Sequence, residues 1–264
     1  MDNDSLLCIF NYITLKDTLN WFPVCKQFNT IANSNIYWKS EFNTAFNCNL
    51  PDASYKNKYK RYYTFNIFLL KTKKKNINHA LTLSELYLSN KQLSVLPPEI
   101  GLLTNLQQLY LSGNQLSVLP PEIGLLVNLR ELSLCGNQLS VLSPQISPLI
   151  NLQTLIFSNS QLSVLPPEIG LLINLQTLYL SGNQLNVLPS EIGLLINLQT
   201  LYLYDNQLSV LPAEIGLLIK LQIFSLYDNQ LSVLLPEIGL LTNLQTLNLH
   251  DNQLSVLPPE IGLL

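Results

Sequence analysis

A 23-residue unit repeats eight times from Leu83 to the end of the 264-residue sequence, without one insertion or deletion. The units open at Leu83, Leu106, Leu129, Leu152, Leu175, Leu198, Leu221 and Leu244. Residues 106–128 show the pattern, LQQLYLSGNQLSVLPPEIGLLVN. A constant period means stacked copies that share one continuous core. The result is a solenoid, whose long regular surface binds other molecules. Residues 1–82 lie outside the period and form a second kind of sequence.

Counting from each opening leucine, leucines at positions four and six alternate with an outward residue. That period of two predicts a short strand with its leucines inward. Stacked units set these strands in a parallel sheet, with eight strands spanning about 34 Å. Position nine is Asn in six units: Asn114, Asn137, Asn183, Asn206, Asn229 and Asn252. A buried carboxamide there can donate and accept to the backbone where the chain leaves the sheet. Lys91 and Ser160 stand at that position in units one and four, which are the expected weak points. Further on, prolines precede Glu-Ile-Gly, as in Pro97-Pro98-Glu99-Ile100-Gly101. Proline suits the first turn of a short helix, and the glutamate meets the positive end of its dipole. One helical or 3₁₀ turn per unit is expected. Unit three departs with Ser143, Pro144, Gln145, Ser147 and Pro148, and is expected to bulge or lose its turn.

The pattern LxxLxLxxNxL followed by xxLPPEIGLLxN resembles the leucine-rich repeat in its 23-residue typical class, over residues 83–264. The resemblance implies an α/β solenoid, a horseshoe whose parallel sheet lines the concave face. Variation among the copies falls on outward strand positions. Position five carries Tyr87, Tyr110, Ile156, Tyr179 and Tyr202; position seven carries Tyr204, Tyr227 and His250. Exposed aromatics on a rigid sheet make good anchors for a protein partner. Tyrosine is also favoured in strands for cross-strand packing alone. Asp205, Asp228 and Asp251 stack at position eight and could draw a basic partner or a cation. Gly and Asn hold the same position in other units, which marks it as a tight turn. The sequence stops at position 21 of unit eight, which leaves Leu247, Leu249, Leu254, Leu257 and Ile261 without a ninth unit over them. That unit is expected to fray or to pair with another molecule.

Charge divides the chain. Residues 1–80 hold 11 Lys/Arg against 5 Asp/Glu, a balance of +6; residues 81–264 hold 3 against 12, a balance of −9. Opposite signs point to two modules with different partners. The cysteines, Cys8, Cys25, Cys48 and Cys135, fit neither a zinc motif nor a disulfide framework. No signal peptide opens the sequence, and polar residues interrupt every apolar run, so no membrane association is expected. A cytoplasmic or nuclear setting follows. With only His79 and His250, and no nucleophile set, phosphate loop or metal cluster, the expected protein is not an enzyme and takes no cofactor or metal.

Residues 4–39 carry three short amphipathic segments. Leu6, Leu7, Ile9, Phe10 and Ile13 share one helical face; Leu19 lies on a second helix that Asp17 can cap; Val24 and Phe28 lie on a third that opens at Pro23. Tyr12-Ile13, Val24-Cys25-Lys26, Phe28 and the closing Ile36-Tyr37-Trp38 resemble the F-box in kind and spacing. Met1-Asp2 stand where that family usually has Leu-Pro. The resemblance implies a small all-α domain over 1–45. Its Leu6, Leu7, Ile9, Phe10, Ile13, Leu19, Val24, Phe28 and Trp38 would dock on a Skp-type adaptor. A basic helical linker over 46–82 would lead to the repeats at 83–264, which hold a protein substrate for a Skp–cullin–F-box ubiquitin ligase. The alternative is a ligase-independent binding scaffold whose N-terminal helices cap the first repeat. The basic, tyrosine-bearing stretch YKNKYKRYY and Lys71, Lys73, Lys74 and Lys75 could suggest nucleic acid. A solvated helical linker is the commoner meaning, and no nucleic-acid partner is expected.

Overall fold

The structure is a computed structural model and describes residues 82–264; the readings made on residues 1–81 lie outside it. Each unit contributes one three-residue strand at its positions three to five: β1 (Glu85–Tyr87), β2 (Gln108–Tyr110), β3 (Glu131–Ser133), β4 (Thr154–Ile156), β5 (Thr177–Tyr179), β6 (Thr200–Tyr202), β7 (Ile223–Ser225) and β8 (Thr246–Asn248). They form one parallel sheet in chain order. Every step shifts the register by one whole unit, so Leu86, Leu109, Leu132, Leu155, Leu178, Leu201, Phe224 and Leu247 make a single row.

Seven apolar positions per unit fill the core. In units two to seven, the Leu, Ile or Phe residues at positions 1, 4, 6, 11, 14, 18 and 21 are at most 5% exposed. Phe157 and Phe224 replace leucine at positions six and four and are fully buried. The other apolar columns are not core. Position 20 (Leu125 55%, Leu194 51%), position 22 (Ile150 50%, Ile196 55%) and position 13 (Val118 62%, Val187 48%) stand about half exposed. In unit eight, Leu247, Leu249, Leu254 and Ile261 are only half-buried and Leu257 is 49% exposed, yet β8 and the turn at Pro259–Leu263 are both formed.

A 3₁₀ turn follows each strand, at Pro98–Leu102 in unit one and at the matching place in every later unit. Proline fixes the entry: Pro97 is extended at φ −68°, and Pro98 opens the turn without a donor to leave unpaired. Unit three keeps its turn but shortens it to Pro144–Ile146, with the Ser143 hydroxyl accepting from Gln145 N at 3.4 Å. Where the five-residue turns stack on a following unit, position 19 is Gly; unit three, with the shortened turn, has Ser147 there. A Cβ on Gly193 would lie 2.6 Å from the Glu214 carbonyl oxygen of the next unit.

Asparagine at position nine ties each unit to the one before it. Asn206 donates through Nδ2 to Leu180 O and Leu203 O, both at 3.0 Å, and accepts from Leu185 N at 3.0 Å. Asn114, Asn137, Asn183, Asn229 and Asn252 bond in the same way. Ser160 is too short to do so and reaches only Ser158 O, at 3.5 Å. Beside it, the Gln161 N to Leu139 O bond stretches to 3.4 Å, where Gln184 N to Leu162 O is 2.9 Å. In unit one, where Lys91 holds position nine, Gln92 adopts φ 55°, a left-handed conformation uncommon for glutamine.

Candidate partner-binding face

Positions five and seven leave the sheet on the side away from the core, and strand pairing brings copies of each position side by side. Tyr87 pairs with Tyr110 across β1 and β2, and their rings stack with centroids 4.8 Å apart. Ser133 and Ile156 interrupt the row at β3 and β4. It resumes with Tyr179 on Tyr202 at 4.7 Å, turns edge-to-face from Tyr202 to Tyr204 at 6.2 Å, and continues through Tyr204 on Tyr227 and Tyr227 on His250, both at 4.5 Å. The structure thus joins Tyr179, Tyr202, Tyr204, Tyr227 and His250 into one unbroken aromatic row. Tyr87 and Tyr110 form a separate pair, and Ile156 stands half-buried between Ser133 and Tyr179.

Stacking decides what the row can offer. Ring faces are covered by neighbouring rings, so edges and hydroxyls meet solvent, and the four tyrosines from 179 to 227 are half-buried. Burial raises the hydroxyl pKa of Tyr179 and of Tyr227, with the neighbouring Tyr202 and Tyr204 adding to the effect in turn. Tyr110 is pushed up to about 12, first by burial and then by Glu131 on the adjoining strand. Tyr110, Tyr179 and Tyr227 are therefore neutral hydroxyls at neutral pH. The Tyr87 hydroxyl donates to Glu85 at 2.8 Å and the Tyr110 hydroxyl to Gln108 at 3.1 Å.

Asp205, Asp228 and Asp251 flank the row, exposed, at φ 54°, 55° and 53°. All eight residues at position eight share this left-handed turn, including Asn90, Asn159, Gly113, Gly136 and Gly182. The turn explains why Asp, Asn or Gly stands there. It does not explain the charge. His250 Nδ1 lies 2.8 Å from Asp251 Oδ2. The nine N-terminal residues from Leu6 to Trp38 expected to meet an adaptor lie outside the described residues.

A second asparagine ladder escaped the sequence reading. At position 23, Asn128, Asn151, Asn174, Asn197 and Asn243 each donate to the carbonyl at position 22 of the preceding unit, at 2.6–2.9 Å. Its near-constancy across copies, broken by Lys220 in unit six, was the available signal, since a recurring polar residue in an apolar repeat marks backbone that needs a partner. With Gln107, Arg130 and Gln153, the side chains of Asn128, Asn151 and Asn174 line an open polar depression of about 360 Å³ at the strand-entry edge. Among the described residues, no cluster of His, Cys, Asp and Glu could hold a metal ion, and no helix is long and apolar enough to cross a membrane.

Leucine-rich-repeat family models match residues 81–139, 127–185, 173–213 and 243–264. No F-box model matches the N-terminal residues. No curated protein matches the sequence. Among solved structures, a leucine-rich-repeat protein of Leptospira interrogans is 43% identical with a TM-score of 0.68, and the match covers 72% of this chain and 49% of that one. The chain thus spans about half of that protein's length. Internalin C2 of Listeria monocytogenes is 29% identical, with a TM-score of 0.63, over 74% of this chain and 86% of that one. The plant peptide hormone receptor RGFR1, solved in complex with RGF2, is 38% identical, with a TM-score of 0.55, over 60% of this chain and 27% of that one. By its repeats, its sheet and these matches, the chain belongs to the leucine-rich-repeat family.

Proposed function

We propose that this chain is a non-catalytic protein-binding scaffold that holds its partner on the open face of the sheet. One observation carries the reading. The copies agree at most positions the stack needs, with Lys91, Ser160 and the turn of unit three as departures, and they diverge on that face, where Tyr179, Tyr202, Tyr204, Tyr227 and His250 merge into a single row. Large rings held rigid by their neighbours lose little freedom on binding, which is what interface anchors require. The test is a pull-down with the intact chain, followed by titration of the captured partner. Replacing Tyr179, Tyr202, Tyr204 and Tyr227 by Ala should weaken binding by about 2–4 kcal/mol in total. Ala at Glu122, Glu168 and Glu214, in the 3₁₀ turns, should leave it unchanged. Equal loss from both sets would assign binding elsewhere.

A finer proposal concerns residues 1–45. The order and spacing of Tyr12-Ile13, Val24-Cys25-Lys26, Phe28 and Trp38 support a role as a Skp-adaptor docking segment. The repeats would then present their partner to a ubiquitin ligase by raising its local concentration. Phe10→Ala with Val24→Ala should abolish capture of a Skp adaptor while the repeats stay folded by circular dichroism. Failure of the unaltered chain to bind any Skp homologue at micromolar concentration overturns the ligase role and leaves the scaffold reading standing.

A further inference from the structure

We infer that the open sheet face of units five to eight takes an extended, arginine-bearing segment of a partner protein, its guanidinium groups meeting Asp205, Asp228 and Asp251 beside the aromatic row. The inference rests on that face being the partner-binding surface, and it names the chemistry of what binds. The first support is a pairing along the chain. Positions seven and eight read Ser-Asn, Ser-Gly, Cys-Gly, Ser-Asn and Ser-Gly in units one to five, then Tyr204-Asp205, Tyr227-Asp228 and His250-Asp251. At these two positions, aromatic ring and carboxylate arrive together and neither occurs without the other. The backbone does not ask for the acid, because Gly182 and Asn159 make the same left-handed turn at φ 64° and 51°.

Charge supplies the second support. Residues 175–264 contain Glu191, Asp205, Glu214, Asp228, Glu237, Asp251 and Glu260, but one cation, Lys220. Lys220 stands at position 23, at the other end of the strands from the aspartates, and its Nζ donates to Asn197 Oδ1 at 2.8 Å. Asp205 and Asp228 are thus left without a cationic side chain from their own units, and Asp251 has only the His250 ring, its Nδ1 at 2.8 Å. Three exposed carboxylates on adjacent turns repel one another, and a cationic partner removes that repulsion on binding.

The third support is shape. Ring faces in the row are stacked on each other, so it offers edges and hydroxyl oxygens rather than open faces for cations. An arginine fork fits such a site: it bonds a carboxylate through two N–H groups and still donates to a hydroxyl beside it. The strands lie about 4.8 Å apart, so the three aspartates span about 10 Å. An extended Arg-x-Arg stretch carries two guanidinium groups on one side roughly 7 Å apart, within reach of neighbouring carboxylates.

The probe is a labelled peptide with arginine at three alternate positions, read by fluorescence anisotropy against the full chain. Its control is the same peptide with Gln for Arg. The discriminating variant is Asp205→Asn, Asp228→Asn and Asp251→Asn together, which keeps a residue already seen in this turn at Asn90 and Asn159 and so preserves the fold. The arginine peptide should bind, the Gln peptide should not, and the triple variant should weaken binding roughly tenfold or more, with added salt acting the same way. Equal binding of the two peptides, no binding of either, or an unchanged affinity in the triple variant overturns the inference. A partner captured from cells separates this from the wider reading. If Tyr202→Ala with Tyr204→Ala releases it and the Asp variant does not, the face binds but not through arginine. If neither variant affects it, the face itself is wrong.

Discussion

Units three and four and units five to eight share one backbone plan, yet they treat it differently. The earlier pair carries the shortened turn at Pro144–Ile146 and the gap in the asparagine ladder at Ser160. It also carries Ser133 and Ile156, which interrupt the tyrosine row. The later block keeps a full ladder through Asn183, Asn206, Asn229 and Asn252, five-residue turns throughout, and a continuous aromatic row. Two kinds of divergence are therefore present. A change at position nine lengthens a neighbouring backbone bond, Gln161 N to Leu139 O, to 3.4 Å. A change at position five leaves the strand pairing intact, since β3, β4 and β5 keep the same register as the rest. Position nine belongs to the scaffold and position five is free for recognition.

The sharpest way to break this distinction is to open a second gap in the ladder. Asn206→Ala removes three hydrogen bonds at 3.0 Å and strands buried backbone groups of two units. It should lower unfolding stability by about 2–4 kcal/mol. Ser160→Ala, at the position where the ladder is already broken, should change it by less than about 0.5 kcal/mol. Urea unfolding followed by circular dichroism measures both. Similar losses from the two would mean that the asparagines do not hold the stack.

Closing the existing gap is the converse experiment. Asn at position 160 would find Leu134 O, Phe157 O and Leu139 N arranged as Leu180 O, Leu203 O and Leu185 N are around Asn206. Ser160→Asn should raise stability by about 1–2 kcal/mol, seen as a higher urea midpoint with an unchanged slope. A lower midpoint would show that Ser160 answers to some other constraint.

Much of this architecture was legible in the sequence because a repeat supplies its own controls. Period two at LxL located the strands, and the prolines located the turns. The near-constant Asn at position nine announced the ladder, and Ser160 was recognisable as its flaw by departing from it. What stayed hidden depends on neighbours rather than on residue type. Leu125, for example, is the same residue type as the core leucines yet is 55% exposed. The leucine at position 20 lies over the glycine of the preceding unit, as Leu125 Cδ1 does against Gly101, and leaves its other side to solvent. The position-23 ladder was missed because its donors act across units, on carbonyls 24 residues away. The columns of tyrosines could be read from the period, but their stacking could not, since a period fixes which strand position a ring occupies and not its rotamer.

Position five can be tested for the freedom claimed for it. Ile156→Tyr places a ring beside Tyr179, in register on the neighbouring strand. Stability should move by no more than about 0.5–1 kcal/mol, the range of one cross-strand pair. A loss several times larger would tie position five to the scaffold after all.

The smallest effect separates the two aromatic clusters by pH. Tyr110 has its hydroxyl pKa pushed up to about 12 from 10.0, first by burial and next by the Glu131 carboxylate. Both causes favour the neutral phenol in the folded chain. A folded pKa above the unfolded one means the contribution is complete below pH 10 and is lost as pH climbs from about 10 towards about 12, because the unfolded chain gives up that proton first. Ultraviolet absorbance at the tyrosinate band, taken as pH rises, should therefore show a late-ionising component that Tyr110→Phe removes. The same substitution should flatten the decline in stability over that window and leave stability near neutrality almost unchanged. If the late component survives Tyr110→Phe and disappears with Tyr179→Phe, the more strongly shielded ring lies in the later units, and the order of the two clusters is reversed.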